Sequence, residues 1–420
     1  MKRLSVIFLL PFLLILFSCK GQNIHNQNTG YDSSVSLNEQ TLSQLGVTSA
    51  EAQKSNEYQV LNYEDQIGMW FTYMDYQSIL KDCQESDFRK NTAKRFKNAA
   101  DMGVNTIYVH VRAFGDCYYY SDMFPKGEYY NTDYDPLEIM TEEAHKLGLS
   151  IHAWINPLRC QTEEQMRKLD DGFTIKKWYN DSEKNGSYIV NVNGTLYLNP
   201  AYQEVVDFIS EGVSEIVENY SVDGIHIDDY FYPTTESSFD EAAFSLSEND
   251  DLSEWRLENV NKMISRIYST VKDIDQSILF GISPQGNINS DYSGQYADVK
   301  KWASESGFCD YIVPQVYFGF ENEGCPFAET VQSWMEMNTC TDVKLVIGLC
   351  TYKIGNEDKW AGTGKNEWKE NRDIVSRQIS FCRENKLSCA LYSYDSTFSE
   401  NISDSERSSI AELLNGGDRQ

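Results

Sequence analysis

The run Asp223-Gly-Ile-His-Ile-Asp-Asp-Tyr-Phe-Tyr-Pro233 places two adjacent carboxylates, Asp228 and Asp229, at the end of a short apolar stretch and follows them with Tyr230 and Tyr232. Ile225 and Ile227 alternate with His226 and Asp228, which is the period of a β-strand. A carboxylate on the inner face of such a strand needs a polar cavity, because burying it unpaired is costly. Carboxyl groups can give a proton, take one, or attack an electrophilic carbon. Cleavage of the acetal between two sugars usually uses a pair of them. Asp228 shares a face with His226 and is the first candidate. Asp229 points the other way in regular strand geometry. It enters the same space if the strand has already ended; otherwise it serves a salt bridge or a loop cap. Asp116, Glu321, Glu323, Glu357 and Asp395 are the other candidates for a second carboxyl.

Comparable polar and aromatic residues close other apolar stretches. His110 and Arg112 precede Asp116. His152, Trp154 and Asn156 precede Arg159. Gln315 precedes Tyr317, Tyr352 follows another stretch, and Tyr392, Tyr394 and Asp395 end the last. Alternate strand residues share a face, so His110 with Arg112, and His152 with Trp154 and Asn156, are expected to point inward together. Aromatic rings stack on sugars, while Asn, Gln, His and Arg bind hydroxyls and acids. Each residue alone has an ordinary structural explanation, as a satisfied core polar group or a cap; their convergence at one kind of position is the signal.

The elements that must hold these residues are eight strands: Ile67–Met74, Thr106–Ala113, Ser150–Pro157, Gly224–Tyr230, Ile278–Ser283, Tyr311–Tyr317, Lys344–Thr351 and Ser388–Tyr394. Helical patterns lie between them, at Asp87–Met102, Pro136–Leu147, Tyr202–Tyr220, Leu252–Ile274, Val299–Ser306, Ala328–Asn338 and Asn371–Asn385, with Asp404–Leu414 last. Strict alternation implies parallel strands joined by crossovers. The expected fold is α/β, a single (β/α)8 TIM barrel over residues 66–415 with long loops and its chemistry at the carboxyl ends of the strands. An open doubly wound sheet is disfavoured, since no glycine-rich phosphate turn follows the first strand.

Composition narrows the class. The 420 residues carry 36 Lys and Arg against 64 Asp and Glu, a net charge of −28. That argues against nucleic acid as a partner, which would need clustered cations. Lys2 and Arg3 precede the apolar run Leu4–Phe17. It is too short to span a bilayer comfortably and has the layout of a secretory signal. Leu16-Phe17-Ser18-Cys19 resembles a bacterial lipobox, so residues 1–18 read as a lipoprotein signal and Cys19 as the lipidated first residue of an exported, membrane-anchored protein. Residues 19–65 are rich in Asn, Gln, Ser and Thr and read as a flexible tether spanning roughly 35–40 Å. The ten cysteines show no C-x-x-C spacing; the nine besides Cys19 read as small buried hydrophobes rather than a disulfide framework, and no metal or cofactor is expected.

Taken with Gly68-Met-Trp70, Val109-His-Val-Arg-Ala-Phe-Gly-Asp116, Tyr120-Ser-Asp-Met-Phe-Pro125, Asp135-Pro-Leu137, Ala153-Trp-Ile-Asn-Pro157, Tyr197-Leu-Asn-Pro200, Ser283-Pro284, Pro314-Gln-Val-Tyr317 and Arg377-Gln-Ile379, the Asp223–Pro233 string resembles the bacterial glycosyl-hydrolase-like family ten. The match runs in order over nearly all of the barrel. The resemblance implies a glycosidase, and one member of the family is a lipoprotein that cuts peptidoglycan strands stripped of peptides. His110, Ala113-Phe114 and Gln285-Gly286 depart from the family pattern and line the expected cleft, so the substrate can differ. Chitinase-like barrels carry a terminal Glu where this chain has Tyr230, which disfavours their substrate-assisted reaction. The spacing from Gly224 to Asp228 is similar to that of amylase-type barrels and favours Asp228 over Asp229 as nucleophile. The leading expectation is a lipid-anchored glycosidase for peptide-free wall glycan, with Arg112, Arg159 or both meeting its lactyl carboxylate. The alternatives are a glycosidase for another extracellular polysaccharide and a non-catalytic glycan-binding lipoprotein; the intact acid pair argues against the latter.

Overall fold

The computed structural model describes residues 58–416; the signal, Cys19 and the tether up to residue 57 lie outside the described residues. In chain order the strands are β1 (Ile67–Phe71), β2 (Thr106–Arg112), β3 (Ser150–Ile155), β4 (Arg159–Thr162), β5 (Ile189–Val192), β6 (Thr195–Leu198), β7 (Gly224–Ile227), β8 (Leu279–Ile282), β9 (Tyr311–Ile312), β10 (Lys344–Cys350) and β11 (Ser388–Tyr392). Eight of them close a parallel barrel in the order β1, β2, β3, β7, β8, β9, β10, β11, with β11 paired back to β1. The eight strands expected from the sequence are these eight, each ending a few residues earlier than the apolar pattern does.

Period-two alternation sorts the strand residues into two cores. Met69, Ile107, Val109, Ile151, Ile225, Ile227 and Leu349 join the main core shared with the helices. Trp70, Tyr108, Trp154, Tyr311, Val313, Val346 and Ala390 fill the barrel interior. Glycines opposite the large rings make the room. A Cβ on Gly281 would lie 1.9 Å from Tyr311 Cζ, and one on Gly224 2.5 Å from His152 Nδ1. Alanine at Gly281 would overpack the barrel, at a cost of about 1–3 kcal/mol.

The helices form where periodicity and caps coincide. Helix Gln203–Asn219 buries Val205, Val206, Phe208, Ile209, Val213, Ile216 and Val217, a stripe at helical spacing. Helix Pro136–Lys146 opens with proline at its first position and with Asp135 Oδ1 accepting from Leu137 N at 2.9 Å and Glu138 N at 3.2 Å. Helix Leu252–Ile274 has the bounds its sequence pattern predicts, and Asp251 caps it in the same way.

One substructure is not anticipated by the alternation of strands and helices. After β3, the strands β4, β6 and β5 form a small antiparallel sheet. Its β5–β6 hairpin turns at Asn193-Gly194, whose φ values of 55° and 89° suit the left-handed turn that Asn-Gly pairs favour.

The segment 58–65, which the sequence places in the tether, is bonded to the amino-terminal end of the barrel. Asp223, fully buried just before β7, accepts from Tyr58 Oη, Leu61 N and Ile151 N, and its Oδ2 lies 3.0 Å from His145 Nε2. The bonded body therefore includes Tyr58.

Candidate active site

A cavity of about 750 Å³ opens at the carboxyl ends of the strands. Trp70, Tyr73, His110 and Trp154 line one part, Tyr317, Tyr352 and Tyr392 another, and Asp228, Asp229, Tyr230, Gln315 and Arg159 lie among them. Asp75, which is buried, and Asp395 also line it. Asp395 is 2.7 Å from Arg95, and burial together with Asp395 raises the pKa of Asp75.

β7 ends at Ile227, so Asp228 and Asp229 belong to the loop and both reach the cavity. Asp228 is 4% exposed. Its Oδ1 is buried without a hydrogen-bond partner among the described residues. Burial, and next the charge of Asp229, push its pKa well above the usual carboxylate range. Asp229 is more open to the cleft, and its Oδ1 accepts from Gln315 Nε2 at 3.1 Å. Burial raises its pKa too, but less far: Gln315 and Gln285 hydrogen bonds act against it, while the Arg159 charge lowers both acids. Of the pair, Asp228 is thus the better proton donor and Asp229 the better anion. That ordering runs opposite to the nucleophile preference drawn from amylase-type spacing.

Arg159 begins β4, and its pairing with Tyr197 of β6 fixes where the side chain leaves the backbone. The guanidinium lies between two rings, 4.3 Å from the Phe114 centroid and 4.4 Å from that of Tyr230. No other Lys or Arg among the described residues lines the cavity. His110 stacks on Trp154 with centroids 3.6 Å apart and an interplanar angle of 10°. Burial, and next the Arg159 charge, push the His110 pKa well down, so it is neutral.

Several expected site residues lie below the cavity. His152 and His226 meet on one hydroxyl inside the barrel. Tyr311 Oη is 2.6 Å from His152 Nδ1 and 3.0 Å from His226 Nδ1, while Trp70 Nε1 donates to His226 Nε2 at 3.1 Å. Burial lowers the pKa of His152 to about 4 and that of His226 well below normal. They are neutral hydrogen-bonding supports. Asn156 is buried too, donating to Ala113 O at 3.3 Å.

Four other expected site residues lie elsewhere. A β-bulge shifts the β2–β3 register between His110 and Arg112, so Arg112 pairs with Ile155 and turns outward. Its guanidinium packs on Phe124 at 4.4 Å, and a Cβ on Gly212 of the neighbouring helix would be 2.2 Å from Arg112 Nη1. Arg112 therefore does not share a face with His110. Asp116 caps its own loop, accepting from Ala113 N at 3.0 Å and Phe114 N at 2.9 Å. Tyr394 follows the end of β11 and opens a short helical turn. Its ring stacks on Phe71 at 4.7 Å and its hydroxyl accepts from Asn98 at 2.9 Å, while Tyr392 faces the cavity. Tyr232 is buried beside Phe239 and Tyr296 and borders a second, smaller cavity. Of the other acids weighed, Glu357 pairs with Lys369 at the surface and Glu323 accepts from Thr363 N. Trp70, Tyr73 and Asp75 are cleft residues that strand-end reasoning passed over as site members.

A closed (β/α)8 barrel whose cleft combines paired carboxyl groups with stacked aromatics has the architecture of glycan-cleaving enzymes. The chain belongs to the glycosyl hydrolase-like 10 family, whose sequence model matches residues 67–362. It is 30% identical over 322 residues to Glycosyl hydrolase YngK of Bacillus subtilis (strain 168), covering 70% of this chain and 60% of that protein. It is 29% identical over 291 residues to Glycosyl hydrolase DigH of Escherichia coli (strain K12), covering 61% of this chain and 64% of that one. The matches thus span less than two thirds of these relatives. Among solved structures, the PgaB (BpsB) glycoside hydrolase domain from Bordetella bronchiseptica superposes with a TM-score of 0.56 at 10% identity, over 83% of this chain and 98% of that domain. Cyclic alpha-maltosyl-(1-->6)-maltose hydrolase from Arthrobacter globiformis gives 0.52 at 10% identity, over 83% and 82%. At such identities these likenesses establish the fold.

Proposed function

We propose that this protein is an exported glycoside hydrolase, held to a membrane through a lipid on Cys19, that cleaves peptide-free strands of bacterial wall glycan. The observation that carries the substrate reading is Arg159. The protein is strongly acidic, so an anionic glycan needs a local cation in the cleft. Among the described residues Arg159 is the Lys or Arg that lines the cavity, its charge acts on both carboxyl groups, and its planar fork suits a carboxylate. The lactyl group of a wall amino sugar is such a carboxylate once the peptide has gone.

In this reading Asp228 holds the proton and gives it to the glycosidic oxygen as the bond to the anomeric carbon breaks. Asp229, bonded to Gln315 and near the Arg159 charge, takes the part of the anion and faces the positive charge that develops on that carbon. Water supplies the hydroxyl of the new reducing end, and its proton restores the acid. Trp70, Tyr73, Tyr317, Tyr352 and Tyr392 supply ring faces for the sugars. The test compares denuded peptidoglycan strands with uncharged chitin oligomers, using the wild type and Arg159→Gln. A preference for lactyl-bearing strands that disappears in the variant supports the reading. Equal wild-type activity on both substrates, or activity only on a plant or host polysaccharide, refutes it.

A further inference from the structure

Asp229 and Tyr230 line two cavities. Beyond Tyr230 lies a second hollow of about 410 Å³, bounded by Tyr197, Tyr232 and Pro233 on one part and by Gln285, Ser293 and Gly294 on another. Pockets of roughly 300–1,000 Å³ hold small organic ligands, so this one suits a single amino sugar. No Lys, Arg or His among the described residues lines it. The nearest guanidinium behind Tyr232, that of Arg256, is fully buried and paired with Asp240 at 2.6 Å.

The outer wall is built and fixed. Residues Asp291–Gln295 form a π-helical stretch, a geometry that recurs at functional sites. Asp291 Oδ1 at its start accepts from Gln285 N at 3.0 Å, and Arg256 Nη1 donates to Tyr296 Oη at 3.0 Å just after its end. Tyr232 N bonds Gln295 O at 3.4 Å, joining this wall to the loop that carries Asp229.

We propose that this hollow is a second sugar subsite that takes an uncharged N-acetylhexosamine, so that the glycan crosses Tyr230 and presents its scissile bond to Asp229, where the two cavities meet. The proposal rests on the wall-glycan reading above for its natural ligand. It adds a register. A strand of alternating acidic and neutral amino sugars fits with the acidic sugar beside Arg159 and the neutral one beyond Tyr230. Only one of the two alternating linkages then reaches Asp229.

Gly294 offers a clean test, because a Cβ there meets no atom within 4 Å and its φ lies outside the left-handed region. Gly294→Phe should fill the hollow, while Gly294→Ala should not. With wild type, the internal fragments released from denuded strands should all hold an even number of sugars and end in the same sugar type. Gly294→Phe should raise KM at least about tenfold on these strands and on a chitin hexamer, with Tm unchanged and Gly294→Ala close to wild type. Wild-type cleavage of the chitin hexamer alone would sink the wall-glycan reading, and the Gly294→Phe comparison on that hexamer would still decide the subsite. Binding of the hexamer to Asp228→Asn protein, with and without Gly294→Phe, decides it without turnover; at least about tenfold weaker binding is expected. An unchanged KM or affinity in folded Gly294→Phe, or internal fragments of both odd and even length, would overturn the proposal.

Discussion

Asp228 and Asp229 are consecutive in the chain and differ in what surrounds them. The Asp228 carboxyl is 4% exposed with Oδ1 unpartnered, whereas Asp229 accepts from Gln315 at 3.1 Å and borders both cavities. Burial raises both pKa values, that of Asp228 further, and two neighbouring acids of unequal pKa are the pattern of an acid and its anionic partner.

The first prediction is a bell-shaped pH profile. Asp228 must be protonated, so kcat/KM falls as pH rises through its raised pKa; Asp229 must be ionised, so kcat/KM falls as pH drops below its own. Asp228→Asn and Asp229→Asn should each lose at least about a hundredfold in kcat while staying folded. In residual activity of Asp229→Asn, the alkaline limb should move to lower pH, because the charge that raises the Asp228 pKa is gone. A limb that stays in place would exclude the coupling.

The second concerns stability. A carboxyl whose folded pKa is raised favours the folded state below its unfolded pKa, near 4, and loses that contribution as pH rises toward the folded value. Asp228→Asn removes this penalty, so Tm at pH 7 should rise by a few degrees over wild type, with a smaller gain near pH 4. Thermal melts at both pH values check this; a fall in Tm at pH 7 counts against a strained acid.

The two arginines should separate cleanly. Arg112 is buried on Phe124 and Gly212, away from the cleft. Arg112→Ala should cost about 2–4 kcal/mol of stability, as core truncations do, and leave KM and substrate preference unchanged in the folded fraction. Arg159→Gln should do the reverse. Denaturant melts and paired KM values on the two substrates measure both.

Much of this was legible beforehand, for a physical reason. Period-two alternation in Ile225, Ile227, Val109 and Ile151 marks both the strands and their outward faces, so the barrel and the position of Asp228 follow from the pattern. The misplacements share a cause, which is that parity holds only while the strand lasts. A one-residue bulge at Val111 turns Arg112 outward, and the end of β11 at Tyr392 releases Tyr394 to the helix layer. Asp229 gains its place in the cleft from the same effect. The sheet that positions Arg159 and Tyr197 carries a readable Asn193-Gly194 turn, but its strands are only four residues each and sit inside what reads as a loop.

Asp223 gives a prediction at the other end of the barrel. It is fully buried and gathers Tyr58, Leu61, His145 and Ile151. Asp223→Ala should leave buried donors unpaired, lower stability by about 2–4 kcal/mol, and open residues 58–65 to protease. Limited proteolysis followed by mass analysis of the fragments tests this; full resistance at 58–65 would show that the segment is held by other contacts.

The most direct test of the central claim is to incubate the soluble body with purified denuded glycan strands and identify the cleaved ends by mass. Hydrolytic products, each gaining one water at a new reducing end, released by wild type and at least about a hundredfold more slowly by Asp228→Asn, are the expected result. Intact strands with wild type, or equal cleavage by a well-folded Asp228→Asn protein, would contradict it.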